Sequence, residues 1–264
     1  MKIRHQVLFG SVIITVALPF IPLVLWAISE KWFYPSLLPR SFGGRAFHYI
    51  FSTAGDQIFT GLLLSTALAL TTTFISLLFG IPAGRALGLY DFSGKKLIIL
   101  LLALPVIVPP LSVAMGLHFW FLKLGLTETF VGVVLIHLTF SLPYTIFVMW
   151  GVFSDYNADF EEQARSLGAP GWRIFLNIIF PMILPAISVA ALFTFLLSWS
   201  QYLSTLIIGG GKMLTLPILL FSLMNSGDRP VAAAVSLVFI LPAFLALMTS
   251  ARNLGRNGLR GVRH

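Results

Sequence analysis

The sequence contains no cysteine and very few charged residues. Without cysteine, this chain of 264 residues has no disulfide, no zinc–thiolate site and no thiol catalysis. Charged residues make up 10% of the chain, whereas an average soluble domain has roughly 25%. Because 58% of the residues are hydrophobic as well, the composition excludes an ordinary water-soluble protein and indicates a membrane protein.

Six long runs contain no Asp, Glu, Lys or Arg, and each is long enough for a helix of about 20 apolar residues to cross a bilayer. The runs are 5–29, 57–84, 97–122, 129–154, 174–211 and 230–251. They predict spans near Val7–Ile28, Phe59–Ile81, Leu97–Leu117, Gly132–Phe153, Ile183–Thr205 and Val231–Met248. We interpret the first as a retained span, because its apolar stretch is too long for a secretory signal and no cleavage pattern follows it.

The distribution of basic residues predicts the orientation. Lys and Arg number 17 against 9 Asp and Glu. If both termini are cytoplasmic, eleven of the 17 lie on the inner side, as the positive-inside rule requires. The basic excess is then an orientation signal and gives no support for a nucleic-acid partner. We expect a first span with an outer loop over 1–58, a core membrane domain over 59–250 and a basic cytoplasmic tail over 251–264.

Prolines interrupt several predicted spans. Pro105, Pro109 and Pro110 fall within the third span, Pro143 within the fourth and Pro242 within the sixth. Each removes a backbone donor and favours a kink. Kinked helices suit a transporter, although proline is also frequent in membrane helices generally.

The predicted cytoplasmic loop 155–181 reads as two short helices. Asp155 or Asn157 can cap the first helix, and the acids that follow favour the positive end of its dipole. Gly168 supplies a left-handed stop, and Pro170 is placed to begin the second helix. The result is a helix-turn-helix elbow at the membrane surface. Its apolar side needs either a cytoplasmic partner or the protein's own helices.

Seven positions of this loop align with a known motif. They are Glu162, Gln163, Ala164, Gly168, Ile178, Phe180 and Pro181. The pattern resembles the EAA motif, E-A-A-x-x-x-G followed nine residues later by I-x-L-P, of the permease subunits of type I ATP-binding-cassette (ABC) importers; Gln163 and Phe180 depart from it. PAGRALGLYDFSGKK from Pro82 and LPVIVPP from Leu104 resemble the same family. The resemblance implies an all-α membrane protein with six transmembrane helices, the type I (MetI-like) fold and both termini cytoplasmic.

The resemblance also implies that the elbow docks on a separate ATPase. The implied coupling residues are Glu161, Glu162, Gln163, Ala164, Leu167, Gly168, Pro170 and Trp172. The chain itself lacks a P-loop, because Gly209, Gly210, Gly211 and Lys212 are followed by Met213 and lack the upstream glycine. We therefore expect no catalytic residue and no cofactor in this chain, with ATP and magnesium bound by an ATPase dimer.

Further partners follow from the resemblance. One elbow per chain implies a second permease subunit, and a related chain is favoured over an identical copy. An extracytoplasmic binding protein would deliver the solute, and the location would be the bacterial inner membrane, as a multi-pass protein. Permeases that resemble this one serve polyamines, thiamine, ferric iron, sulfate and phosphonates.

A polar and aromatic cluster in the fifth predicted span is the candidate lining of a translocation path. Its residues are Ser198, Trp199, Ser200, Gln201 and Tyr202. The same residue types also suit interfacial anchoring. No acidic residue lies inside a predicted span, which disfavours a cation site and polyamines in particular. His118 and His137 have no partner at ligand spacing, so we expect them to be packed or hydrogen-bonded and expect no metal site.

Two other classes of membrane protein fit the sequence less well. A proton-coupled secondary carrier, the main alternative, usually needs an intramembrane carboxylate, and the elbow would have no purpose in it. An intramembrane enzyme would need Ser with Lys or His, paired Asp, or H-E-x-x-H within the spans, and the sequence offers none of these.

Overall fold

The computed structural model describes residues 10–11, 14–32 and 35–258. Within these ranges the chain is mostly helical, and it divides into two compact units. The first unit consists of the chain up to Leu64 together with Leu214–Pro242. The second unit consists of Ser65–Met213 together with the chain from Ala243 onward.

The first unit holds the segment predicted to be an outer loop. Its elements in chain order are α1 (Phe20–Ala27), β1 (Ser29–Lys31), β2 (Ser41–Phe42), α2 (Arg45–His48), a π-helical turn (Tyr49–Thr53), the first part of α3 (Gly55–Leu89), α11 (Leu216–Asn225) and the first part of α12 (Arg229–Gly258). The two strands pair antiparallel, with Ser29 opposite Phe42. The Arg45 guanidinium donates to both carboxylate oxygens of Asp228, at 2.9 and 2.7 Å. This ion pair joins α2 to the residue before α12.

The second unit is built around one central helix. Its elements are the rest of α3, then α4 (Lys95–Ile107), α5 (Pro110–Lys123), α6 (Phe130–Ser154), α7 (Asp159–Ser166), α8 (Gly171–Ile174), a π-helical turn (Phe175–Ile179), α9 (Phe180–Trp199), α10 (Leu203–Gly209) and the end of α12. Helices α9 and α10 both pack against α6. Nearly half of the α6 side chains are buried, including His137, Ser141 and Thr145.

Four helices of the described residues are long and apolar enough to cross a membrane. They are Gly55–Leu89, Phe130–Ser154, Gly171–Trp199 and Arg229–Arg252. A bent helix pair raises this number to five if it counts as one span. These helices contain the second, fourth and sixth predicted spans. The first predicted span, Val7–Ile28, lies partly outside the described residues, as does the end of the predicted basic tail.

The third predicted span, Leu97–Leu117, is not one straight helix. Helices α4 and α5 meet at an angle of 106° across a two-residue break. Val108 is extended there, with φ −74° and ψ 138°, the conformation that proline favours in the residue before it. Pro109 precedes a second proline and is extended as well, with ψ 129°. The consecutive prolines therefore produce a sharp turn instead of the expected kink.

The fifth predicted span, Ile183–Thr205, has the wrong limits. The apolar helical segment begins at Gly171 and ends at Trp199. Residues 200–202 interrupt it, and α10 begins at Leu203. Neither glycine nor proline stands at this interruption, so the sequence carries no local signal for it. The predicted lining residues thus lie at a helix break.

Candidate functional site

The elbow folds as the sequence predicts. The Asn157 side-chain oxygen accepts a hydrogen bond from the Asp159 backbone N–H at 2.8 Å and so satisfies a donor at the start of α7. Helix α7 ends at a glycine stop, where Gly168 has φ +80°. The Gly168 N–H donates to the Arg165 carbonyl at 2.9 Å, and the Ala169 N–H donates to the Ala164 carbonyl at 3.0 Å. This pair of bonds is a Schellman motif, which reverses the chain at the glycine.

The second arm of the elbow starts directly after Pro170. The N–H groups of Arg173 and Ile174 both donate to the Pro170 carbonyl, at 2.9 and 3.2 Å. Because proline has no N–H to leave unpaired, it is suited to this position before α8. The chain then continues through the π-helical turn into α9, so the elbow is joined to a membrane-spanning segment.

Glu161 anchors the elbow through a buried ion pair. Its side chain is 3% exposed and receives hydrogen bonds from Arg85 Nη2 at both carboxylate oxygens, at 3.0 and 2.8 Å. Arg165 Nη2 makes a further contact at 3.3 Å, as the i,i+4 spacing predicts. The Arg85 guanidinium also lies 5.6 Å from the centre of the Phe153 ring. The elbow is thus held to α3 and to the end of α6.

The uncharged phenol of Tyr156 lies beside this ion pair. Burial, together with the nearby Glu161 carboxylate, raises the pKa of Tyr156 to about 12. An ordinary tyrosine, with a pKa of about 10, is already protonated at physiological pH, and the raised pKa keeps the Tyr156 phenol neutral beside Glu161 at more alkaline pH as well.

The predicted coupling residues separate into two groups. Glu161 is buried, and Ala164 is half-buried against the core cluster of Met149, Phe153 and Ile174. The other six are exposed: Glu162, Gln163, Leu167, Gly168, Pro170 and Trp172. Leu167 is 88% exposed and Trp172 is 62% exposed, although both side chains are large and apolar. We call the surface formed by Leu167, Gly168 and Trp172 the elbow tip.

A stripe of glycines that sequence reasoning missed brings α3 against α6. A Cβ atom added to Gly80, Gly84 or Gly88 would lie 2.5, 2.3 or 2.5 Å from side-chain carbons of Thr145, Met149 and Phe153 respectively. Only glycine permits this approach, as in other small-xxx-small contacts between membrane helices. The signal was the G-x-x-x-G-x-x-x-G spacing of Gly80, Gly84 and Gly88. Because Arg85 follows Gly84, the contact also sets the position of the guanidinium that binds Glu161.

The predicted lining residues surround the break between α9 and α10. Ser198 and Trp199 are buried, Gln201 and Tyr202 are half-buried, and Ser200 is exposed. The Trp199 ring stacks on Phe195 at 5.8 Å. His137 is hydrogen-bonded, as expected: Nδ1 lies 2.7 Å from Ser198 Oγ and Nε2 lies 2.8 Å from Thr205 Oγ1. The partners of His137 in α9 and α10 were not predicted, because they lie 61 and 68 positions away in sequence.

Comparison with known proteins decides the family. The profile of the family described as "Binding-protein-dependent transport system inner membrane component" matches residues 76–257. The chain belongs to that family. The permease is 33% identical over 180 residues to the molybdate/tungstate transport system permease protein WtpB of Thermococcus kodakarensis, covering 67% of this chain and 71% of the relative.

Other relatives carry different names. The trehalose transport system permease protein SugB of Mycobacterium tuberculosis is 27% identical over 205 residues, covering 76% of the permease and 75% of the relative. The spermidine/putrescine transport system permease protein PotC of Haemophilus influenzae is 26% identical over 195 residues, covering 74% of the permease and 76% of the relative. These relatives agree that the chain is a permease subunit of an ABC importer and a multi-pass membrane protein.

Solved structures show the same fold. A bacterial ABC transporter involved in the import of the acidic polysaccharide alginate matches with a TM-score of 0.69 and 20% identity, covering 95% of both chains. The MetNI methionine ABC transporter matches with a TM-score of 0.60 and 15% identity, covering 78% of the permease and 98% of that chain. The MetI-like permease fold implied by the resemblance is confirmed, whereas six spans and cytoplasmic termini stay predictions.

Proposed function

We propose that the elbow couples this permease to a separate cytoplasmic ATPase. The observation that carries the proposal is the elbow tip, where Leu167 and Trp172 are exposed although both are large and apolar. Apolar side chains that the bilayer does not cover are typical of protein interaction sites. Leu167 lies between the apolar segments Phe130–Ser154 and Gly171–Trp199, among several charged residues, and Trp172 is the second residue of the later segment. Charged side chains of this kind place the tip at the water-facing end of that segment, outside the lipid tails.

The buried base of the elbow supports the same proposal. A force applied at the tip reaches α3 through the Glu161–Arg85 pair and reaches α9 through the covalent chain. A rigid connection of this kind is needed if closure of two ATPase subunits is to move membrane helices. ATP and magnesium would be bound by that partner. Glu162 and Gln163 are exposed beside the tip and are the polar side chains suited to bind the ATPase.

We further propose that the permease pairs with a second permease subunit in the inner membrane and receives its solute from an extracytoplasmic binding protein. One match supports the latter: a bacterial alginate ABC transporter in complex with alginate pentasaccharide-bound periplasmic protein, with a TM-score of 0.58. The relatives' names include trehalose, molybdate or tungstate, and spermidine or putrescine. The break between α9 and α10 is lined by neutral residues, so we infer a solute without net positive charge.

The coupling proposal is tested with the variant Leu167→Ser and with Gly168→Asp. We expect both variants to insert in the membrane but to lose the ATPase on co-purification, the first by removing the exposed apolar contact and the second by placing a carboxylate in the elbow tip, where docking would bury it. The matched control is Leu37→Ser, since Leu37 is a leucine that is 91% exposed between β1 and β2, far from the elbow in sequence. ATPase recovery equal to that of the control would refute the proposal.

A further inference from the structure

A network of buried polar side chains links α6 to both sides of the α9–α10 break. On α6, His137, Ser141 and Thr145 recur every four residues and therefore lie on one face. Each is at most 1% exposed. His137 makes hydrogen bonds with Ser198 on α9 and Thr205 on α10, whereas the Thr145 hydroxyl bonds Thr194 on α9 at 2.8 Å. Within this network, it is His137 that bridges the break.

The direction of each hydrogen bond in this network can be assigned. Thr205 Oγ1 donates its only hydrogen to the Gln201 carbonyl at 2.7 Å. It must therefore accept from His137, which places the proton of the neutral ring on Nε2. Nδ1 is then an acceptor, and Ser198 Oγ is its donor. Each of these groups is satisfied, and the network ends on a carbonyl of the break itself.

This arrangement is compatible with a broken helix and not with a straight one. Thr205 lies seven positions after Ser198, so a continuous α-helix would place the two residues ~10.5 Å apart along its axis. One imidazole ring with hydrogen bonds of 2.7 and 2.8 Å spans a shorter distance. Straightening the segment would therefore break at least one of the two bonds and leave a buried polar group unpaired, which is costly in a membrane.

We propose that His137 is a positioning residue that clamps Ser198 and Thr205 together and thereby holds the fifth helical segment in its broken form. Residues 200–202 then stay out of the helix. Ser204 Oγ donates to the Gln201 side-chain oxygen and supports the same conformation. The consequence for transport, that the clamp keeps the path open to solute, rests on the proposed lining role of these residues.

The clamp is tested by measuring a distance across the break. The chain has no cysteine, so Phe193→Cys and Leu206→Cys introduce the only thiols of this subunit for spin labels, at exposed positions on α9 and α10. In the assembled transporter, His137→Ala should raise the population of the straightened form, in which the two labels are farther apart than in the broken form, by about tenfold. The reason is that two buried interhelical hydrogen bonds are lost. Labels 13 residues apart on a straight helix would be separated by ~19.5 Å along the axis.

Thr145→Val is the matched control, because it removes a buried hydroxyl bond between α6 and α9 without touching the break. It should leave the distance unchanged. Ser198→Ala, a smaller change that folding should tolerate, should show part of the His137→Ala effect, and the double variant should show no more than His137→Ala alone. Unchanged distances in both His137→Ala and Ser198→Ala, or an equal shift in Thr145→Val, would overturn the clamp. The measurement needs neither ATP nor solute, so its failure is distinct from failure of the coupling proposal.

Discussion

Replacing Glu161 with glutamine tests whether the ion pair with Arg85 holds the elbow to helix α3. Glutamine keeps the shape of the side chain but removes its charge. The Arg85 guanidinium, which donates to both carboxylate oxygens, would then face a neutral amide. Because the Glu161 side chain is 3% exposed, little water can reach the guanidinium on the side that faces it.

The size of the effect follows from the burial of the two partners. Removing one member of a fully buried pair costs about 3–5 kcal/mol. Arg85 is 25% exposed, so water recovers part of its solvation. Arg165 is 63% exposed and contributes little to the pair. We therefore expect a loss of about 2 kcal/mol, which is roughly a 30-fold increase in local opening of the elbow.

Amide hydrogen exchange of the purified transporter measures this opening. Peptides that cover α7 should exchange roughly 30-fold faster in Glu161→Gln, while peptides from the middle of α6 should be unchanged. Asp159→Asn is the matched control, since Asp159 is an exposed carboxylate of the same helix and lies outside the proposed ATPase contact. Equal exchange in the two variants would refute the anchor. If Glu161→Gln has its full effect even in an Arg85→Gln background, pairing with Arg85 is not the cause.

The remaining predictions concern helix packing and the first unit. Gly84→Ala should destabilise the transporter by about 1–3 kcal/mol and lower its melting temperature, because the new Cβ would lie 2.3 Å from Cβ of Met149. Gly151→Ala is the control and should be neutral, since a Cβ at Gly151 would meet no neighbouring side chain or helix within 4 Å. Similar melting of both variants would contradict the close contact. The hydrogen bond from Arg45 holds the pKa of Asp228 below the ordinary 3.8. The stabilisation is therefore complete above that pH and is lost as pH falls through the lowered pKa. Between about pH 5 and 3 the stability of the unaltered protein should therefore fall by under about 1 kcal/mol on account of this pair, and Asp228→Asn should lack that part of the fall. Melting curves measured across this pH range test the prediction, and the same pH dependence in both proteins would contradict it.

The elbow was predictable because its signals are local. Asn157, Gly168 and Pro170 each act on backbone groups within a few residues, and the Glu161–Arg165 contact lies within one helical turn. The limits of α6 were predictable for a related reason, since a charge-free run marks the part of a helix that lies in lipid.

The break between α9 and α10 was not predictable in the same way. Its residues are ordinary helix-compatible types, and what holds them out of the helix comes from α6. The glycine stripe of α3 carried a readable spacing, but the sequence alone does not say which helix it meets. The turn between α4 and α5 lies between these cases, because the two prolines indicate a kink while the 106° angle depends on how the flanking helices pack.

The membrane environment, the family and the elbow can all be assigned from the sequence alone. Charge spacing marks the segments suited to lipid, and the motif at Glu162–Gly168 depends on backbone preferences that act over a few residues. The contacts of each side chain depend on the tertiary structure. Glu161, which the resemblance counts among the coupling residues, is buried against Arg85, and His137 spans a break that the sequence does not mark. The reason is that buried polar groups must find partners, and those partners lie on helices far away in sequence.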